Sequence, residues 1–247
     1  MNRKISDAIL EFFFSTRAQC LGCGDEQGCD CPFLCSECLA LLKPSYVSAS
    51  REEWRRSGLS SVRFVYYYGR PIRGLIRAFK FRGVKILAKN MAQDMNELLT
   101  LRGHADADVI IPVPLHPTRL RNRGYNQSEV LARALSEKCG IPVRTDILRR
   151  IRKTRQQSKL SHAKRRNNLK NAFVAVQNIS GLRVLLLDDV ITTGSTVCAC
   201  AEALRAAGAA DVHAISIAGV HARHRSEKTK IYRQTVPQKK IKKSHFF

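Results

Sequence analysis

The sequence predicts an α/β fold in which a parallel sheet is flanked by helices and preceded by a small four-cysteine module. Continuous apolar segments such as Val184–Leu187 alternate with segments of helical period such as Asn126–Cys139. That alternation is typical of a parallel sheet covered on both faces. Six of the nine cysteines lie between Cys20 and Cys38, and this clustering predicts the separate module.

The chain of 247 residues suits one domain of ordinary size plus a small module. We expect a short amphipathic helix at 1–16, the cysteine module at 17–43 and a polar connection at 44–60. Residues 61–220 form the predicted main domain. Residues 221–247 carry nine Lys and Arg against one Glu, without apolar periodicity, and predict a basic disordered tail.

Within the main domain, strands and helices are predicted in alternation. The strands are Val62–Tyr68, Asp108–Val113, Val184–Leu187 and Val212–Ala218; the helices are Pro71–Arg82, Asn90–Leu101, Asn126–Cys139 and Ser195–Ala207. Pro71 suits the first position of its helix. Asn126 with Glu129 makes a capping-box pattern, and Gly140 ends that helix.

The charge balance is strongly basic. Lys and Arg number 43 against 20 Asp and Glu, a formal net charge of +23. An excess of this size predicts a polyanionic partner, such as nucleic acid, a phosphorylated ligand or an anionic membrane surface. A merely solubilising basic surface is the alternative.

No run of 18 apolar residues is present, which argues against a transmembrane segment. The N-terminal apolar residues are interrupted by Glu11 and no small-residue cleavage site follows, so we expect no signal peptide. A cytoplasmic location with reduced thiols is expected, and association with the inner face of the cell membrane stays open.

Two CxxC pairs, Cys20 with Cys23 and Cys35 with Cys38, have the spacing of a structural zinc site. Four thiolates provide the tetrahedral ligand set that Zn²⁺ prefers. Cys29 and Cys31 lie between the pairs and could replace a ligand or remain free thiols. A redox or disulfide role is the alternative for the module.

The most informative segment is VLLLDDVITTGST, from Val184 to Thr196. A buried strand leads to Asp188 and Asp189, and a turn with Gly194 leads into a helix. Ligands of open parallel sheets bind at the carboxyl ends of strands, and a helix N-terminus favours a phosphate. The hydroxyls of Thr192, Thr193, Ser195 and Thr196 add donors. The segment therefore predicts a phosphate site beside two carboxylates that suit vicinal ribose hydroxyls.

Two further basic segments suggest anion contacts. IPVPLHPTRLRNRGYNQ follows a strand, and its arginines could fork onto phosphates, although a solvated charged loop is the alternative. The candidate contacts here are Arg119, Arg121, Arg123, Asn126 and Gln127. The segment Leu148–Phe173 is a long basic loop that includes Arg165.

The predicted helix Pro71–Arg82 carries a third set of basic residues. Arg73, Arg77 and Lys80 form one stripe of this helix, and an exposed tyrosine among Tyr66–Tyr68 could stack on a base.

The VLLLDDVITTGST segment resembles the phosphoribosyl pyrophosphate (PRPP) motif of type I phosphoribosyltransferases. The resemblance implies that fold, with Asp188 and Asp189 on the ribose hydroxyls and residues 192–196 around the 5′-phosphate. The basic segment at 111–127 lies where these enzymes place a pyrophosphate loop, and Leu148–Phe173 lies where they carry a flexible loop.

The chain also resembles the ComF (competence protein F) family. The resemblance rests on two N-terminal CxxC motifs followed, in this order, by PVPLHPTRLRNRGYNQ, a basic stretch with RRNNLKNAF, and DDVITTGST. That resemblance implies a role in natural transformation, namely internalising single-stranded DNA. It also implies a helicase-like or membrane DNA-uptake partner.

Two functions from different classes are therefore expected. In the first, the protein binds single-stranded DNA and assists its uptake, which the charge favours. In the second, it is an active phosphoribosyltransferase that uses PRPP and Mg²⁺ with a nitrogenous base or amine as acceptor, which the intact acidic pair favours. The sequence shows no acceptor pocket and no catalytic base that would decide between them.

Overall fold

A computed structural model describes residues 19–25, 33–49, 51–101, 106–152, 169 and 171–220. The predicted helix at 1–16, Cys29, Cys31, Arg165 and the basic tail at 221–247 lie outside this part of the chain. The helices are α1 Ser36–Leu41, α2 Glu52–Arg56, α3 Ile72–Phe81, α4 Leu87–Leu101, α5 Pro117–Arg123, α6 Gln127–Cys139 and α7 Ser195–Ala206. The strands are β1 Val47–Ala49, β2 Ser61–Tyr67, β3 Val109–Pro112, β4 Leu148–Arg150, β5 Phe173–Ala175, β6 Arg183–Ile191 and β7 Asp211–Gly219.

The main sheet has the order β1-β2-β7-β6-β3. Strands β2, β7, β6 and β3 are parallel, and β1 adds an antiparallel edge. The predicted parallel sheet is confirmed. Because parallel strands run in one direction, the carboxyl ends of β3, β6, β7 and β2 lie on the same side of the sheet. This carboxyl edge carries the candidate site.

Both faces of the sheet are covered, as the continuous apolar strands predict. In β6, Leu185 and Leu187 pack in a cluster with α3, α4 and α6, whereas Val184 and Leu186 pack in a second cluster with α7. Successive strand side chains point to opposite faces, so each strand contributes to two cores. The second cluster also includes residues of β4 and β5, an antiparallel pair formed by the two ends of the predicted basic loop.

Three regions differ from the sequence predictions. The arginine-rich segment is not a loop, because Pro117–Arg123 forms α5, capped by the His116 side chain and ended by Gly124 in the left-handed region. Strand β6 continues to Ile191, so the acidic pair lies inside the strand rather than after it. The polar connection contains β1 and α2, and its Trp54 is 2% exposed. Through this indole, the short helix α2 packs in the second buried cluster.

The capping of α6 is confirmed in part. The Asn126 side chain accepts a hydrogen bond from the Ser128 N–H, as an N-cap should. The Glu129 carboxylate accepts from Arg133 one turn later instead of completing the capping box. Gly140 ends the helix in the left-handed conformation, as predicted.

The cysteine module packs on α3. Cys20, Leu34 and Cys38 belong to the same buried cluster as Leu75 and Ile76 of that helix. A Cβ built on Gly74 would lie 1.9 Å from the carbonyl oxygen of Leu21, so the contact is closer than any side chain at residue 74 permits. Within the described residues, no helix is both long and apolar enough to cross a bilayer.

Candidate functional site

The acidic pair lies at the carboxyl edge of the sheet, on the central strand β6. Asp188 Oδ1 accepts hydrogen bonds from Ser128 Oγ at 3.1 Å and from the Asp189 N–H at 2.9 Å. Burial, followed by the negative charge of Asp189, raises the pKa of Asp188 to about 7. A ligand hydroxyl that donates to this carboxyl group, or a cation beside it, would favour the ionised form and lower this pKa.

Asp189 is ion-paired with Lys80 at the end of α3. The Lys80 ammonium lies 2.8 Å from one carboxylate oxygen and 2.7 Å from the other. Asp189 is 7% exposed, so the pair is shielded from solvent. Lys80 belongs to the predicted basic stripe, whereas Arg73 and Arg77 of that stripe are exposed and point away from the core. The structure thus brings one of the three stripe residues to the acidic pair.

The turn after β6 closes around a small cavity of about 50 Å³, lined by Asp188 and residues 190–197. Thr193 Oγ1 lies 2.9 Å from Ser195 Oγ and accepts from the Ser195 N–H at 3.4 Å. Gly194 has a φ of +80° and is the N-cap of α7. A helix N-terminus with surrounding hydroxyls is a chemical environment that fits a phosphate. The predicted turn residues Thr192, Thr193, Gly194, Ser195 and Thr196 are therefore brought together.

Trp54 stands behind this turn. A Cβ on Gly194 would lie 2.3 Å from Trp54 Nε1, so the indole fills the space that a side chain would need. Arg51 stacks on the indole at 4.5 Å and donates to the carbonyl oxygen of Val220 after β7. Sequence reasoning missed this support, although the only tryptophan of the chain, in a polar connection, was a signal that could have indicated it.

Helix α5 brings arginines towards the same edge. Arg123 interacts electrostatically with Asp189, donates to Gln127 Oε1 at 2.6 Å and lies 4.9 Å from the centre of the Phe81 ring. Arg121 is exposed, and Arg119 is half-buried. Arg150, at the end of β4, lies in the predicted basic loop but was not among the candidate contacts. It is 8% exposed, and its charge is repelled by Arg119 and attracted by Asp188.

Asn126 and Gln127 are engaged within the protein. The Asn126 side chain caps α6 and donates to the Val113 carbonyl oxygen at 3.1 Å. Gln127 is 1% exposed, and its amide oxygen holds Arg123. Their polar atoms thus position the arginine and the helix. The predicted direct contact of these two residues with an anion stays a prediction.

The acidic pair does not fit a direct magnesium site. Mg²⁺ would need oxygen ligands in an octahedral arrangement with several waters. Asp189 already pairs with an ammonium group through both oxygens, and a cation coordinated there would compete with Lys80. Sugar hydroxyls, which donate hydrogen bonds without adding positive charge, are better matched to these carboxylates.

The four predicted zinc ligands are close together. The Sγ atoms of Cys20, Cys23, Cys35 and Cys38 lie within 4.8 Å of one another, and those of Cys23 and Cys35 are 3.9 Å apart. Tetrahedral zinc with Zn–S bonds of about 2.3 Å places its sulfur atoms about 3.8 Å apart. The Cys35 N–H donates to Cys20 Sγ at 3.3 Å. The cluster therefore fits a closed structural zinc site.

The chain is similar to a known domain family and to several named proteins. A family model described as a phosphoribosyl transferase domain matches residues 122–246. Competence protein F of Haemophilus influenzae is 36% identical over 159 residues, which cover 62% of this chain and 69% of that protein. DNA utilization protein YhgH of Salmonella typhi is 37% identical over 149 residues, 59% of this chain and 66% of the relative. Competence protein ComFC of Streptococcus pneumoniae is 29% identical over 165 residues, 66% of this chain and 71% of its own.

Two solved structures are also similar. A glutamine PRPP amidotransferase from B. subtilis, complexed with ADP and GMP, is 29% identical and covers 53% of this chain and 25% of its own, with a TM-score of 0.34. A purine phosphoribosyltransferase from Pyrococcus horikoshii is 17% identical and covers 53% of this chain and 80% of its own, with a TM-score of 0.33.

Proposed function

The chain belongs to the competence protein F (ComF) family, with a phosphoribosyl transferase domain, and we propose that it binds single-stranded DNA and assists DNA uptake in natural transformation. The turn at 192–196 and the acidic pair hold a phosphoribosyl group as a ligand. The names of the relatives, competence protein and DNA utilization protein, support a role in handling DNA.

The observation that carries the proposal is the presence of positive side chains from three segments around the acidic pair, Asp188 and Asp189. Lys80 of α3 contacts Asp189, Arg123 of α5 interacts with the same carboxylate, and Arg150 of β4 interacts with Asp188. These three cations outnumber the two carboxylates. The net charge at the carboxyl ends of the strands is therefore positive, which attracts a polyanion. The sequence carries +23 overall, in the same direction.

The nucleic acid and the phosphoribosyl group contact different parts of this edge. DNA affinity rests on contacts of Lys and Arg with phosphates. Sugar recognition rests on the two carboxylates, because they accept from vicinal hydroxyls. Uptake also requires a partner that delivers or draws the strand, either helicase-like or part of a membrane DNA-uptake apparatus.

The cysteine module carries structural zinc in this proposal. The four thiolates, two of them within the main buried cluster, support a metal that stabilises the fold rather than one that takes part in chemistry. Zinc displaces the thiol protons on binding. Burial opposes ionisation of Cys20, but backbone hydrogen bonds from residues including Cys23 and Cys35 outweigh it and lower the pKa of this thiol to about 6.

The double variant Asp188→Ala/Asp189→Ala tests whether the nucleic acid and the phosphoribosyl group are bound by different residues. We expect it to lose PRPP binding in calorimetry while its affinity for a labelled single-stranded oligonucleotide, measured by fluorescence anisotropy at physiological salt, stays within a few-fold. Equal losses would place both ligands in one site. Absence of oligonucleotide binding by the unaltered protein would overturn the proposal, and pyrophosphate release with a nitrogenous base would favour the transferase instead.

A further inference from the structure

An exposed aromatic ring lies one residue beyond the ion pair at the acidic site. Phe81, the last residue of α3, is 70% exposed, and its neighbour Lys80 pairs with Asp189. A single exposed apolar side chain is ordinary on a protein surface. This ring differs because the Arg123 guanidinium lies 4.9 Å from its centre. A ring that carries a cation on one side and is mostly exposed presents both groups that nucleic acids contact.

The chain on either side of the ring is tied to the segment between α5 and α6. Lys85 lies 4.8 Å over the Tyr125 ring, and the Tyr125 hydroxyl donates to the Phe79 carbonyl oxygen. Tyr125 and Phe79 also make an edge contact with centres 6.0 Å apart. Arg123 is fixed by Gln127, at 2.6 Å. Because Arg123 and the neighbouring backbone are already fixed, these groups lose little conformational freedom when a ligand binds.

The surface around the ring is basic. Arg82 and Lys85, in the turn that follows the ring, are both exposed. Single strands are bound by aromatic rings on which bases stack, combined with cations that follow the phosphates. Arg123 strengthens this arrangement because a guanidinium stacks on ring and base faces alike.

We propose that Phe81 is a base-stacking platform for single-stranded DNA that crosses the surface formed by Arg82, Lys85 and Arg123, beside the acidic pair. The inference rests on the proposed function and adds the surface that performs it. One base stacks on the exposed part of the Phe81 ring, and the neighbouring phosphates lie on the cations.

Substitutions at Phe81 test the ring separately from the charges. With a short labelled oligothymidylate at physiological salt, we expect Phe81→Ala and Phe81→Leu to weaken binding about 5- to 100-fold, because stacking of one base is lost. Phe81→Trp retains a ring and keeps the affinity. The dependence on salt stays unchanged in all three variants, since no charge is altered. Ile86→Ala, which shortens a 58% exposed side chain in the same turn, is the matched control and leaves binding unchanged.

An oligonucleotide of equal length with abasic sites completes the test. The unaltered protein should bind it more weakly by about the factor that Phe81→Ala costs, and Phe81→Ala should bind both strands alike. If Phe81→Ala binds the normal strand as tightly as the unaltered protein, the platform is wrong although the proposed function stands. If the unaltered protein binds no strand, both fall.

The same variants separate DNA from a membrane surface. Exposed Phe81 and Ile86 among cations are also compatible with an anionic bilayer. Loss of binding to phosphatidylglycerol vesicles by Phe81→Ala and Ile86→Ala, with oligonucleotide affinity retained, would assign the patch to lipid and overturn the inference.

Discussion

At the scale of single residues, Gly194 is the position where the turn at 192–196 is most sensitive to change. Its φ of +80° lies in the left-handed region, and Trp54 Nε1 occupies the place of a Cβ. An alanine therefore meets two costs, one from the backbone and one from the indole. The backbone cost is about 1–2 kcal/mol.

We expect Gly194→Ala to lower the free energy of unfolding by more than that backbone cost and to abolish binding of ribose 5-phosphate. Gly140→Ala is the control, because Gly140 has a φ of +77° and no described atom lies within 4 Å of its built Cβ. Urea unfolding measures both variants. Equal losses would show that Trp54 moves aside at no cost.

Asp188 gives stability a pH dependence. Its folded-state pKa, raised by burial and then by the charge of Asp189 to about 7, lies above the ordinary value of 3.8. The stability contributed by its proton is therefore fully present below the ordinary value and is lost as pH rises through about 7. Asp188→Asn should remove this decline, seen as the difference between urea midpoints of the two proteins across that range. Parallel curves would contradict the raised pKa.

At the scale of elements, the contact between the cysteine module and α3 depends on Gly74. Helix propensity alone predicts that Gly74→Ala stabilises α3 by up to about 1 kcal/mol. The Leu21 carbonyl oxygen, 1.9 Å from the built Cβ, predicts the opposite sign. We expect a destabilisation of about 1–3 kcal/mol in urea unfolding, typical of overpacking. Gly69→Ala, with no described atom within 4 Å of its Cβ, should leave the midpoint unchanged.

The module should also require its metal. Cys20 and Cys38 pack with Leu75 of α3, so loss of zinc exposes part of the main core. We expect one zinc ion per chain by metal analysis and a lower thermal midpoint after chelation or in Cys38→Ser. Cys139→Ser, at the end of α6 and outside the four-cysteine cluster, should retain the metal. Disulfides in place of zinc would contradict this expectation.

At the scale of the whole molecule, the charge of +23 predicts a steep dependence of DNA affinity on salt. Each phosphate contact with a single strand contributes about 0.7 to the slope of log K against log salt. Arg82→Ala, at an exposed residue of the surface proposed for the strand, should reduce the slope by about that amount. Arg183→Ala changes the charge equally, but it removes the partner of Asp108 at the opposite edge of the sheet and should leave the slope unchanged. A flat salt response of the unaltered protein would remove the electrostatic argument.

The local parts of the site could be predicted from the sequence. The strand, turn and helix that hold Asp188, Asp189 and residues 192–196 are contiguous, and their pattern depends on neighbours within a few positions. The four-cysteine cluster was predictable for a similar reason, because each CxxC spacing brings its own two sulfur atoms together. Segments at 1–16, 153–168 and 221–247 lie outside the described residues, so the predictions made for them stay predictions.

What the tertiary structure alone decided is which distant side chains meet that local motif. Lys80 pairs with Asp189 although the two lie 109 positions apart. The guanidinium beside the Phe81 ring belongs to Arg123 of α5, and Trp54 packs against Gly194 from the segment predicted as a polar connection. No periodicity links such residues, because their contacts follow from the order of strands in the sheet and from helix packing on its faces. By itself the sequence determined the fold class, the four-cysteine cluster and the strand, turn and helix at 184–196. Packing decided the cation on the acidic pair, the indole behind the turn and the exposed ring beside it, because long-range contacts form only when the sheet brings their elements to one edge.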